Sequence, residues 1–185
     1  MGLSSPMARR GVRELLSLLD EAFAGAGIEE SGESQALMTN LATVDEATWR
    51  RIPPGMARTV ESMVLHVGSC KVMYVDHAFR DGTLSWEDAP VQPWPEGSAP
   101  MAEALSWLAR AHDELVRSVA PLEDADLDAP RRTNWGEMRP TRWIIAALIG
   151  HDFYHAGEVN HLRSLLSGDD RWRWQRELEA GADAD

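Results

Sequence analysis

Apolar residues recur at helical spacing along most of the chain, and no segment alternates clearly between apolar and polar residues as a half-buried strand would. The periodicity predicts a helix over residues 9–24, a short helix over 33–41, and three long helices over 59–80, 100–119 and 140–166. Connections rich in glycine and proline separate these segments. The expected fold is therefore an all-α bundle of three long helices and a broken first one.

Local signals mark the ends of the predicted helices. Thr59 is suited to cap the first long helix, and Pro140 is suited to the first turn of the last one. Residues 82–100 contain too many prolines for a regular element, and residues 121–138 are polar and rich in aspartate and proline. Both segments are predicted to be loops.

The length and continuity of the chain favour one domain. A chain of 185 residues can bury a sizeable hydrophobic core, and neither a repeat nor a linker divides this one. We expect a single domain over residues 1–185, with its core at about 9–168 and a C-terminal tail at 169–185.

The last long helix carries two histidines and a carboxylate inside an apolar stripe. At about 100° per residue, one face of this helix holds Ile144, Leu148, His151, His155, Glu158, Leu162 and Leu165. A single histidine would be interpreted as an ordinary core residue, but burying three titratable groups together is costly unless something satisfies them. A divalent metal would do so, because two imidazoles four residues apart project from the same face. The stripe therefore predicts a metal site.

A third ligand must come from another helix. His66 lies in the middle of the first long helix, beside its apolar face, whereas His77 lies near the end of that helix. His66 is therefore the better partner for two histidines in the middle of a helix. Cys70, one turn after His66, is interpreted as a small buried residue that the site can still recruit. Two further histidines lie off these faces and are expected at the surface or at helix ends: His112 and His161.

Residues 151–161 also approach the extended zinc-protease pattern H-E-x-x-H-x-x-G-x-x-H. Asp152 stands in the place of the glutamate base and has a shorter reach, and Gly157 comes one position too early for the required turn. The apolar stripe also continues beyond that glycine, so the helix is not expected to break. The protease interpretation is rejected, and Gly157 is interpreted as a place where a neighbouring helix approaches.

Composition narrows the classes of function. The formal net charge of -12 disfavours a duplex-DNA binder, which needs basic residues to neutralise phosphates. The single cysteine excludes an internal disulfide framework and a cysteine zinc finger. No apolar run approaches the roughly 20 residues of a membrane span, and the N-terminus lacks the apolar core of a signal peptide. We expect a cytoplasmic protein that binds neither nucleic acid nor membrane.

Three segments together resemble the DinB/YfiT-like superfamily of metal-binding four-helix-bundle proteins. Residues 59–66 (TVESMVLH) are similar to its first metal helix, and residues 120–128 to its acidic segment before a loop. Residues 151–163 (HDFYHAGEVNHLR) resemble its H-x-x-x-H-x-G-Q-x-x-x-L-R signature. The likeness extends over about 13–166. It implies a four-helix bundle of the up-down-down-up type, with its first helix broken.

The resemblance places a three-histidine metal site on His66, His151 and His155. It implies a divalent metal with open positions, zinc or nickel in the first place and iron or manganese as alternatives. Glu158 stands where the family usually has glutamine, and it can orient His155, act as a base or become an extra ligand.

Members of the superfamily include thiol S-transferases that use low-molecular-weight thiols such as bacillithiol or mycothiol, and proposed hydrolases. The resemblance implies either that a metal-bound thiolate attacks a small electrophile, or that metal-bound hydroxide attacks with Glu158 or Asp152 as base. A non-catalytic metal-binding stress-response protein is the remaining alternative.

A small-molecule substrate is the expected partner. A homodimer is implied by the resemblance and by Trp172 and Trp174, which look exposed. Four other tryptophans are interpreted as loop anchors, although they can also cover a pocket over the metal: Trp86, Trp94, Trp135 and Trp143.

Overall fold

A computed structural model of the protein describes residues 6–25, 36–86 and 91–169, together with positions 171, 175, 178 and 179. Within these ranges the helices are α1 (Arg10–Ala24), α2 (Leu37–Leu41), α3 (Glu46–Trp49), α4 (Val60–Phe79), α5 (Met101–Val119) and α6 (Thr141–Ser167). An antiparallel hairpin of β1 (Pro130–Arg132) and β2 (Met138–Pro140) precedes α6. The all-α class is confirmed. No helix in the described ranges has the length and apolar character needed to cross a bilayer.

The helices α1, α4, α5 and α6 each begin and end within one residue of the predicted bounds. Thr59 caps α4 as predicted: its hydroxyl accepts from the backbone N–H of Ser62 at 3.0 Å, and the Ser62 hydroxyl accepts from the N–H of Thr59 at 3.1 Å. This reciprocal pair satisfies two donors that the helix itself leaves open. The predicted segment 33–41 is helical over α2, while its residues 33–35 lie outside the described residues, as do Trp172 and Trp174.

The expectation of a simple loop over residues 121–138 was wrong in part. A 3-10 turn occupies Asp124–Asp128, and β1 pairs with β2 in a register that places Arg131 opposite Arg139. Each strand has only three residues and is mostly exposed. Strands this short carry no hydrophobic alternation, which is why the pattern along the chain does not predict them.

The site region is built on α4 and α6, the two most enclosed helices. α4 packs against both α5 and α6, and α6 also packs against α1 and α2. Two apolar clusters of buried side chains fill the spaces between these helices. As a result α4 is buried on nearly every face, and side chains that it shares with α6 are held by core packing on both sides.

Gly68 sets the distance between α4 and α5. A Cβ atom at this position would lie 2.2 Å from the Trp107 ring, which is closer than real Cβ contacts. The ring of Trp107 is itself held by Trp94 in an edge-to-face contact, with centroids 6.2 Å apart. The helices can therefore keep this separation only with glycine at 68.

We predict that Gly68→Ala lowers the free energy of unfolding by about 1–3 kcal/mol, the usual cost of overpacking a core. Gly157→Ala in α6 is the matched control, because a Cβ there would meet nothing within 4 Å. It should be neutral, or stabilising by up to about 1 kcal/mol through helix propensity. Urea unfolding of both variants measures the difference in stability, and a Gly68→Ala protein as stable as its parent would contradict the prediction.

The open space at Gly157 also corrects the expectation that a neighbouring helix approaches there.

His112 is buried, although it was expected at the surface or at a helix end. Its ring stacks on Phe23 with centroids 3.8 Å apart, and neither ring nitrogen has a hydrogen-bond partner among the described residues. Burial, followed by the nearby charge of Lys71, lowers the pKa of His112 to about 3. The folded protein therefore keeps this imidazole neutral where an exposed histidine would be protonated. His161, by contrast, is exposed as expected.

We predict that His112→Phe makes folding less sensitive to acid. In the parent the pKa of His112 is depressed by folding, so the unfolded chain takes up a proton first and stability falls as the pH drops below about 6.5. Between about pH 6.5 and 5 this group should cost about 2 kcal/mol, which the variant should not lose. Urea unfolding of both proteins across this range tests the difference; parallel curves would contradict it.

Candidate metal centre

The three histidines chosen from the sequence come together between α4 and α6. His66 projects from α4, and His151 and His155 project from one face of α6. The Nε2 atom of His151 lies 3.2 Å from Nε2 of His66 and 3.1 Å from Nε2 of His155. The rings are tilted by 52° to 74° to one another, so that their nitrogens converge while the planes do not stack.

This spacing fits a metal ion. Three imidazole nitrogens at about 2.1 Å from one ion lie about 3.0–3.4 Å apart. The candidate ligand atoms of the three side chains all lie within 4.8 Å of one another. A single N–H between two such nitrogens would satisfy only one contact, whereas a cation accepts the lone pairs of all three. The three side chains can therefore hold a divalent metal.

The electrostatics of the cluster favour neutral imidazoles, the form that binds metals. His155 is buried and His151 half-buried, whereas His66 is exposed. Loss of solvent around the rings is the main cause that lowers the pKa of all three, and it brings the pKa of His151 to about 3. The positive charge of Arg58 also depresses the pKa of His66 and of His155, whereas the carboxylate of Glu158 opposes the lowering at both rings. Protons therefore compete weakly with a metal at neutral pH.

Glu158 supports one of the three rings. Its Oε2 atom lies 2.7 Å from Nδ1 of His155, and its Oε1 atom lies 3.3 Å from Nη1 of Arg58. A carboxylate that accepts from Nδ1–H fixes the tautomer and leaves the Nε2 lone pair free. Of the three roles that the sequence left open for Glu158, this geometry favours the orientation of His155.

The side chain of Asp152 lies outside the histidine cluster, although Asp152 follows His151 directly in the sequence. Its Oδ2 atom accepts from Nζ of Lys71 at 2.6 Å, and both side chains are fully buried. The other oxygen, Oδ1, has no hydrogen-bond partner among the described residues. Such burial, which raises the pKa of Asp152, argues against the role of base that was considered for this residue.

Lys71 and Arg58 were not predicted from the sequence as part of this region. Lys71 is the only lysine among 18 basic residues. This was the feature of the sequence that could have marked it for attention. Arg58 precedes the α4 cap and offered no such signal, because its approach to Glu158 spans 100 positions.

Cys70 behaves as a small buried residue. Its Sγ atom lies 3.8 Å from Nε2 and 3.9 Å from Nδ1 of His66. Burial raises the pKa of this thiol to about 11, so the thiolate that a metal prefers is disfavoured. His77 is removed from the cluster by its own contact, in which Nε2 lies 2.8 Å from the carbonyl oxygen of Leu84.

The comparison with known families agrees with this geometry. Residues 32–159, most of the chain, match the family model described as the DinB superfamily. The protein belongs to the DinB superfamily. The matched range contains all three clustered histidines and Glu158. No curated protein matches the chain.

In this DinB-superfamily protein a cleft opens beside the histidines. Its volume is about 330 Å³, and His66 and His155 form part of its wall. Trp86 lines the cleft, whereas Trp94 packs on Trp107. The remaining two tryptophans of the sequence analysis contact one another, with centroids 6.2 Å apart: Trp135 and Trp143. Among the described residues, Trp86 is thus the tryptophan placed to contact a ligand near the cluster.

Proposed function

We propose that this protein is a metal-dependent enzyme in which His66, His151 and His155 hold a divalent metal, zinc or nickel in the first place. The proposed reaction is the transfer of a low-molecular-weight thiol to a small electrophile. One observation carries the proposal: Nε2 of His151 lies 3.2 Å from Nε2 of His66 and 3.1 Å from Nε2 of His155, beside an open cleft. A closed structural site would have no such cleft, whereas a catalytic site keeps room for ligands.

A divalent metal held by these three histidines would lower the pKa of a thiol bound to it and so supply a nucleophile at neutral pH. The protein's part is to hold three neutral imidazoles in place. Glu158 keeps His155 in the required tautomer, and Arg58 holds the second oxygen of Glu158. In net terms the reaction forms one carbon–sulfur bond, releases the thiol proton to solvent and expels the leaving group with its bonding electrons.

The positions of the two carboxylates support thiol transfer over hydrolysis. A hydrolase of this kind uses a base beside the attacking water. Asp152 is buried against Lys71, and Glu158 directs one oxygen to His155 and the other to Arg58. Neither of these two carboxylates is therefore free to serve as that base, while a thiol bound as thiolate needs none.

The test is a comparison of turnover with and without thiol. The metal-loaded protein is incubated with a chromogenic electrophile alone, and then with a panel of low-molecular-weight thiols. We expect turnover that needs both thiol and metal, and that is lost in His155→Ala but kept in His161→Ala, whose histidine is exposed on the same helix. Turnover of the electrophile with water alone would support hydrolysis, and metal-independent turnover would overturn the proposal.

A further inference from the structure

The cleft beside the histidines carries charged side chains of both signs. Arg58 and Glu96 line it together with His66 and His155. Arg58 lies just before α4, and Glu96 lies in the segment that leads to α5. Since the whole chain has a net charge of -12, an exposed carboxylate alone would mean little. A guanidinium in the same small cleft is the unusual feature.

Arg58 has hydrogen-bonding capacity to spare. Its side chain is 61% exposed, and among the described residues its contact is with one oxygen of Glu158 at 3.3 Å. This is a long distance for a charge-assisted bond, and a guanidinium has five N–H donors arranged to bind a carboxylate through two of them. A second carboxylate in the cleft can therefore bind Arg58 without displacing Glu158.

Glu96 is also available to a ligand. It is exposed, and within the described ranges no arginine, lysine or histidine forms an ion pair with it. Trp86 and Gln92 lie on the wall of the same cleft and offer an apolar surface and an amide. The volume of about 330 Å³ is at the small end for ligand pockets, which suits a compact molecule.

We propose that the thiol taken by this cleft is zwitterionic, with a carboxylate that pairs with Arg58 and an ammonium group that pairs with Glu96. This inference rests on the proposed function, since it assumes that the sulfur binds at the three-histidine centre. Arg58 and Glu96, which both line the cleft, select the two ends of the molecule by their opposite charges. The ligand class is thus an amino-acid-like or peptide-like thiol, and simple neutral thiols should bind more weakly.

The experiment measures thiol binding to the full chain loaded with cobalt(II), through the sulfur-to-cobalt absorption band. Three probes share a four-carbon chain and differ in their end group: 4-mercaptobutanoate, 4-aminobutane-1-thiol and 4-mercaptobutanol. The variants are Arg58→Gln, Arg58→Lys and Glu96→Gln, all at exposed positions. Cobalt affinity is measured for each variant first, so that an effect on the centre through Glu158 is recognised.

We expect both charged probes to bind the parent more tightly than the neutral one. Arg58→Gln should lower the affinity for the carboxylate probe about tenfold and leave the affinities for the other two probes unchanged. Arg58→Lys should keep part of that preference, because it keeps the charge. Glu96→Gln should weaken the amine probe alone, by a similar factor.

Equal affinities of the three probes for the parent would overturn the inference while leaving the proposed function intact. An equal loss for all probes in Arg58→Gln would also overturn it, since Arg58 would then act through Glu158. If the cobalt protein gives no sulfur band with any probe, the proposed thiol function fails, and the inference fails with it.

Discussion

Replacing Lys71 by methionine should lower the free energy of unfolding by about 3–5 kcal/mol, the usual cost of leaving one member of a buried ion pair alone. Lys71 and Asp152 are both fully buried, and their contact of 2.6 Å joins α4 to α6. Burial lowers the pKa of Lys71 and raises that of Asp152, and in each case the charge and the hydrogen bond of the partner oppose the shift. Without Lys71, the carboxylate must either stay buried without a partner or bind a proton.

The pH dependence of this variant has a defined sign. In Lys71→Met the pKa of Asp152 in the folded state is raised above its unfolded value, so stability is lost as the pH rises through the range between them. The deficit should therefore be smaller at about pH 5 than at about pH 7. Urea unfolding of the metal-free proteins at both pH values measures it.

The matched control is the double variant Lys71→Met/Asp152→Leu. Replacing both partners by apolar residues of similar volume is often neutral or stabilising, so the double variant should recover most of the lost stability. A loss of under about 1 kcal/mol in the free energy of unfolding of the single variant would contradict the prediction. A double variant no more stable than the single one would contradict it as well.

His151→Ala should weaken zinc binding at least about 100-fold, because removing a ligand should exceed the 10- to 100-fold effect of removing its support. His151 is the ring whose Nε2 atom contacts both other nitrogens. Its loss leaves His66 and His155 without the nitrogen between them. The measurement is competition with a zinc chelator at neutral pH.

His161→Ala is the control for this prediction, because His161 lies on the same helix but is exposed. Its zinc affinity should match that of the parent. Zinc should also raise the unfolding temperature of the parent and of His161→Ala, since a ligand that binds only the folded state stabilises it. An unfolding temperature of His151→Ala that rises equally with zinc would contradict the assignment of the site.

The sequence was a good guide wherever one face of a helix is buried. α1 and α5 each bury a single stripe, and their predicted bounds agree with the structure within a residue. The spacing of His151 and His155 was enough to place both rings on one face. The choice of His66 over His77 followed from position along the helix, and the structure brings His66 to the other two rings.

Contacts between distant elements could not be predicted in the same way. α4 is buried on nearly all sides, so periodicity assigns no direction to Lys71, and its pairing with Asp152 spans 81 positions. His112 was expected at the surface or at a helix end because it lies off the predicted faces, whereas it is buried and stacks on Phe23. The approach of Arg58 to Glu158 depends on how the start of α4 meets the C-terminal half of α6, which local pattern does not encode.

The burial of the only lysine has a practical consequence for chemistry on the folded protein. Amine-reactive reagents normally label surface lysines, but the single ε-amino group of this chain is fully buried. In the folded state such a reagent should therefore leave Lys71 unmodified. Acylation of Lys71 should therefore require the opening of the helix core. The rate at which a Lys71-modified peptide forms then measures how often α4 and α6 separate.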